Sequence, residues 1–236
     1  MTFQRARSEE QRAIRRQAIL DTAMAMLDEM PVAEVSLNEL SRRVGLAKSN
    51  VLRYFESREA VLLELLTGAL QAWLAEVSDE LATGIDAHLS AMGRGDQMAA
   101  VLSRSLARHT VLLDLVGAQA GVLEHNVSVD VVVRHKQSAL TTLGAAVEMI
   151  RRRVPELGDG ARTVCMTTLI LAGALSTYCR PSASVLAAYE VDPALAQFAP
   201  DLRSSLESSV AMLIRGALVR SGDPLGASEA QAGSTP

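Results

Sequence analysis

The stretch SLNELSRRVGLAKSNVLRYF, residues 36–55, decides the fold. Ser36 followed three residues later by Glu39 has the form of a capping box, in which hydroxyl and carboxylate each satisfy a free amide at a helix start. Leu37, Leu40 and Val44 then share one helical face, and Gly45 supplies the left-handed residue that closes such a helix. Leu46 and Ala47 separate it from a second short segment, Lys48 to Tyr54. Two short helices about one tight turn predict a helix-turn-helix, whose second helix enters the DNA major groove.

The residue types suit that task. Val51 and Phe55 lie four apart and can anchor a core, which leaves Ser49, Asn50 and Arg53 on the other side. Arg can fork to guanine O6 and N7, and Asn can bond bidentately to adenine. Lys48 and Tyr54 flank that face as phosphate contacts, aided by Arg58 and the first amides of the next helix.

Working outward, Ile19, Ala23, Met26 and Met30 form a helical stripe over residues 9–30, which Pro31 ends. On the other side Ser57 can cap a helix from Arg58 to Leu81, ~36 Å long and so able to link two domains. Glycine and proline then divide the chain into helices at about 96–108, 110–124, 128–153, 160–179, 184–190 and 201–220. The expected organisation is a DNA-binding domain at 1–57, a helical ligand-binding and dimerisation domain at 58–221, and a Gly/Ser/Ala/Pro-rich disordered tail at 222–236.

Composition agrees with an all-α chain: of 236 residues 49% are hydrophobic but only 3% aromatic, so helix formers outnumber strand formers. The N-terminus is charged with no apolar run behind it, which predicts no secretory signal. The longest uncharged stretch, Thr163 to Cys179, falls short of the ~20 residues of a spanning helix, so a cytoplasmic protein without a membrane partner is expected. Cys165 and Cys179 would lie ~21 Å apart along one helix, too far for an internal disulfide. The net charge of −4 hides an uneven distribution. Arg5, Arg7, Arg12, Arg15 and Arg16 form one basic cluster, and Arg42, Arg43, Lys48, Arg53 and Arg58 a second; together they are candidates for one phosphate-facing surface.

Three segments carry a family pattern: Ala18 to Ala23, Ser36 to Lys48, and Tyr54-Phe55-Glu56-Ser57-Arg58-Glu59. Over about residues 12–65 the chain resembles the tetracycline-repressor (TetR) family of bacterial transcriptional regulators. The resemblance implies a homodimeric DNA-binding repressor whose helical C-terminal domain binds an effector, and it carries the DNA role to Lys48, Ser49, Asn50, Arg53, Tyr54 and Arg58. Two positions depart from the pattern. Ala47 replaces the usual Ser or Thr cap, at a cost of ~1 kcal/mol that Ser49 would partly offset. Leu52 replaces a common Tyr, exchanging a polar contact for an apolar one to a thymine methyl.

Past residue 58 the sequence is less informative. Trp73, His109, Met149, Met166 and Tyr178 are large or polar residues on apolar stretches and candidates to line an effector pocket. Glu124, His125, Asp130 and His135 do not form a metal set, because neighbouring residues on a helix point about 100° apart and no Cys or second Glu supports them. No metal and no cofactor are expected. The segment 163–179 is apolar nearly all round, and Leu206, Val210, Leu213, Ile214 and Ala217 stripe the last helix, so helices 160–179 and 201–220 are the expected dimer contacts. The expected function is a repressor released from a double-stranded DNA operator by a small-molecule effector. A helical protein-interaction module is the alternative. A helical-scaffold enzyme is a further one, against which stands the lack of G-x-S-x-G, H-E-x-x-H, G-x-G-x-x-G and P-loop patterns.

Overall fold

A computed structural model describes the backbone of residues 2–222 and the side chains of 9–221. The side chains of Arg5 and Arg7 and the tail expected beyond residue 222 lie outside the described residues. Among those residues every regular element is helical.

Helix α2, Leu37–Val44, starts where Ser36 accepts the Glu39 amide at 3.1 Å and stops at Gly45, φ 72°, whose amide returns to the carbonyls of Arg42 and Ser41. Only half of the expected capping box forms. The Glu39 carboxylate is drawn away from the helix start by Arg42 and Arg43, at 2.6 and 2.8 Å, because two guanidiniums outbid one backbone amide. Helix α1, Thr2–Glu29, begins earlier than the apolar stripe alone implied and ends before Pro31. Helix α3, Lys48–Val51, is a single turn on an Ala47 cap with no side-chain bond. Tightened turns, Tyr54 amide to Val51 carbonyl and Phe55 amide to Val51 carbonyl, then carry it to the core anchors Val51 and Phe55, which are both buried.

The chain forms two compact units. The first contains residues 2–70 and 111–139: α1 to α3, the first part of α4 (Arg58–Gly84), most of α6 (Thr110–Ala118), prolonged by one π turn at Gln119–Leu123, and the start of α7 (Val129–Arg153). Between α4 and α6 the chain forms α5, Ala91–Arg108, which belongs to the second unit. Ile19, Met26, Leu40, Val51, Leu62, Leu66, Leu113 and Leu115 supply buried side chains to this unit. Two side-chain caps tie α6 and α7 to the first three helices. Asp114 accepts the Val32 amide at 2.7 Å, and Glu56 accepts the Ser128 amide at the start of α7.

The second unit contains, among the described residues, 71–110 and 140–222, with α5, α8 (Gly160–Tyr178), α9 (Ala183–Val191) and α10 (Leu202–Gly222). Here α5 starts at Ala91, capped by Ser90 onto the Gly93 amide at 3.2 Å, although Gly93 and Gly95 read as a break in the sequence. Gly95 stays helical because α10 requires it: a Cβ there would lie 2.7 Å from Cγ2 of Ile214. The apolar stripe of α10 is also used differently from expectation. Leu206, Val210, Ile214 and Ala217 are buried within their own chain, and the outward side is Met212, Leu213, Gly216 and Val219. No residue of α9 is buried. By length and composition α4 could cross a bilayer, but Val61, Leu62, Leu66, Val77 and Leu81 along it are buried in the protein, as in a core helix.

Candidate nucleic-acid interface

Lys48, Ser49, Asn50, Leu52 and Arg53 are exposed, while Val51 between them is fully buried and Phe55 nearly so. One turn of helix with apolar anchors on its inner side thus presents two donors of positive charge, a hydroxyl and an amide on its outer side. That set can meet phosphates and base edges together. Tyr54 is half-buried, and its carbonyl accepts Nη1 of Arg16 at 2.7 Å. Arg58 is turned inward: Nη2 donates to the Val32 carbonyl at 3.2 Å and Nε lies 3.8 Å from Glu59.

The basic clusters are partly neutralised at short range. Arg16 donates to both carboxylate oxygens of Glu64, and its guanidinium stacks 4.1 Å from the Phe55 ring centre. Arg43 bridges Glu39 and Glu29, the latter at 2.7 Å. Bonds from Arg42 and then Arg43 hold the Glu39 carboxyl down to about 2, so it stays charged at neutral and mildly acidic pH. Among the described residues of these clusters, the cations left facing water are Arg12, Arg15, Lys48 and Arg53, together with Arg42, whose side chain is 72% exposed.

Two family models cover this chain. The N-terminal model, described as bacterial regulatory proteins of the tetR family, matches residues 19–65; the tetracyclin repressor-like C-terminal domain matches residues 67–221. The chain belongs to the TetR family. The HTH-type transcriptional regulator EthR of Mycobacterium tuberculosis is 43% identical over 49 residues, which are 21% of this chain and 23% of EthR. This chain therefore matches less than a quarter of that relative's length. Two solved structures are similar over most of the chain. The fatty acid degradation regulator FadR from Bacillus halodurans is 11% identical at TM-score 0.49, covering 85% of this chain and 97% of that one. A TetR transcriptional regulator from Rhodococcus sp. RHA1 is 14% identical at TM-score 0.49, covering 89% and 98%.

The structure brings two of the five residues expected to line an effector pocket to one partner. Trp73 and His109 meet at Ser105, the indole donating to its hydroxyl at 3.2 Å and the His109 Nδ1 lying 2.9 Å from its carbonyl. Met149 is half-buried, Met166 is exposed, and Tyr178 is 72% exposed. No cluster of three metal-ligating side chains occurs among the described residues.

His135, weighed in the sequence only as a metal ligand, is buried. His135 Nδ1 lies 3.1 Å from Thr67 Oγ1 and Nε2 lies 3.2 Å from Gln119 Nε2. Gln119 can only donate from its nitrogen, so Nε2 accepts, Nδ1 carries the proton and donates to Thr67 Oγ1, and the Thr67 hydroxyl donates to the Leu63 carbonyl at 2.9 Å. Burial holds this imidazole below its ordinary pKa, with the Lys136 charge adding and Glu124 opposing, so it is neutral. Spacing along the sequence offered no signal for it, since its partners lie 68 and 16 residues away.

Proposed function

We propose that this chain is a homodimeric repressor that binds an operator in the cytoplasm and is released by a small-molecule effector. The observation that carries the reading is the outward set Lys48, Ser49, Asn50 and Arg53 mounted on buried Val51 and Phe55. Arg53 and Asn50 read base edges, Lys48 and Tyr54 hold the backbone, and Arg58 contributes positive field while it steadies the start of α4.

Dimerisation gives two such segments, spaced to match half-sites ~34 Å apart or a multiple. The interface is assigned to the outer sides of α8 and α10. Ile170 is 64% and Met212 66% exposed, and the valley that Thr167, Leu171, Leu213 and Gly216 line is apolar and open. Two copies would close it as a four-helix contact.

Gel-shift with DNA from upstream of the gene tests the proposal. Binding should weaken with a log–log salt slope of about −0.9 per phosphate neutralised. Salt-independent binding, or none to any fragment, would leave the protein-interaction module as the better reading.

A further inference from the structure

Five residues between Lys48 and Arg53 are exposed, and four of them, Lys48, Ser49, Asn50 and Arg53, are polar. The fifth is Leu52, 41% exposed. Its place is fixed by its neighbours. The Leu52 amide closes the single turn of α3 onto the Lys48 carbonyl at 3.0 Å, and Val51 beside it is fully buried. Leu52 therefore shares the outward face with Lys48 and Ser49, one helical turn before it. Val51 and Phe55 already anchor the segment, so the protein's own core does not account for a leucine here.

When this face seats in a major groove, the leucine leaves water together with its polar neighbours. Base edges offer it little to lie against. They carry nitrogen and oxygen acceptors and amino donors, and a leucine pressed on any of these covers a polar group without pairing it. One group there is apolar, the methyl on C5 of thymine, and 5-methylcytosine carries the same methyl at the same place. We propose that Leu52 is a specificity-determining residue that reads the C5 methyl of one pyrimidine in each operator half-site; the assignment rests on the repressor reading above. It adds an apolar contact to a face whose other side chains read by hydrogen bonds. The operator thereby gains a sensitivity that those side chains lack, since a methyl can come or go without any change in base pairing.

The test uses the full chain and the upstream DNA that it binds, in competition gel-shift. Each thymine of the bound site is replaced in turn by uracil, which removes the methyl, and each cytosine by 5-methylcytosine, which adds one. At one position per half-site the methyl should be worth about 4-fold in affinity, and about 15-fold when both half-sites are changed, as the burial of one such group implies. A loss with uracil names thymine as the source of the methyl, and a gain with 5-methylcytosine names a methylated cytosine. Leu52→Ala and Leu52→Gln should each abolish the response, and Leu52→Met should keep it. All three variants should melt with the original chain, because the side chain lies outside the core. Indifference to the methyl at every position, or a response that survives in Leu52→Ala and Leu52→Gln, overturns the assignment. Sequence-specific binding that ignores every methyl leaves the repressor reading standing, whereas no binding to any fragment removes both.

Discussion

The guanidinium of Arg16 lies 4.1 Å from the centre of the Phe55 ring and joins Glu64 and the Tyr54 carbonyl in the same grip. Two of these contacts from α1 thus fall on the residues that end the recognition segment, and the third on α4. Arg16→Ala should cost about 1–2 kcal/mol in urea unfolding, modest because the side chain is partly exposed. Arg16→Lys should recover less than half, since an ammonium has no planar fork to hold carboxylate and carbonyl together. Full recovery with lysine would show that charge alone matters.

Arg53→Ala is expected to lose roughly 1–3 kcal/mol on the cognate operator and to relax preference at one base position. Lys48→Ala should instead weaken all DNA alike and make the salt slope shallower by about one. Competition gel-shifts with single-base operator variants separate the two. Uniform loss across sequences for Arg53→Ala would remove it from base reading.

His135 links stability to mild acid. Its folded pKa is depressed from 6.5, so above that value the imidazole is neutral in both states and contributes no pH dependence. As the pH falls below it, the unfolded chain takes up the proton first, and stability declines until the folded pKa has been passed. Thermal unfolding followed from about pH 7.5 to 5.5 should show a falling Tm that His135→Gln flattens. Parallel curves for the two proteins would refute the assignment.

Ile170→Glu and Met212→Glu place charges on the proposed dimer face without touching the buried stripe of α10. Sedimentation should shift to the monomer, and operator affinity should drop by about 100-fold or more because two half-sites are no longer read as one. A dimer that survives both changes would move the interface elsewhere.

Gly95→Ala should destabilise the chain by about 1–3 kcal/mol, because the new methyl would sit 2.7 Å from Ile214 Cγ2. Combining it with Ile214→Ala should cost less than the sum of the two single changes, as neighbours in one contact couple. Strict additivity in chemical denaturation would mean that the helices simply part.

The sequence announced what local rules govern. The Ser36 cap, the Gly45 stop and the Val51–Phe55 anchors follow from short-range geometry, and each is present. Hidden from it were choices made between distant groups. Glu39 had an amide in reach and took two arginines; Gly95 looked like a break and is a close approach between α5 and α10. The α10 stripe announced burial correctly but not against what, because periodicity marks an apolar face and is silent about which surface will cover it. The burial of His135 was invisible for the same reason, since it is a property of packing.

Helix α3 has four residues and no side-chain cap, and its hold on the protein comes through Val51 and Phe55. The outward positions 48, 49, 50 and 53 therefore stand almost outside the folding economy. Descendants of this chain can trade those side chains for others, and thereby adopt new genomic addresses, while melting at nearly the same temperature as their ancestor.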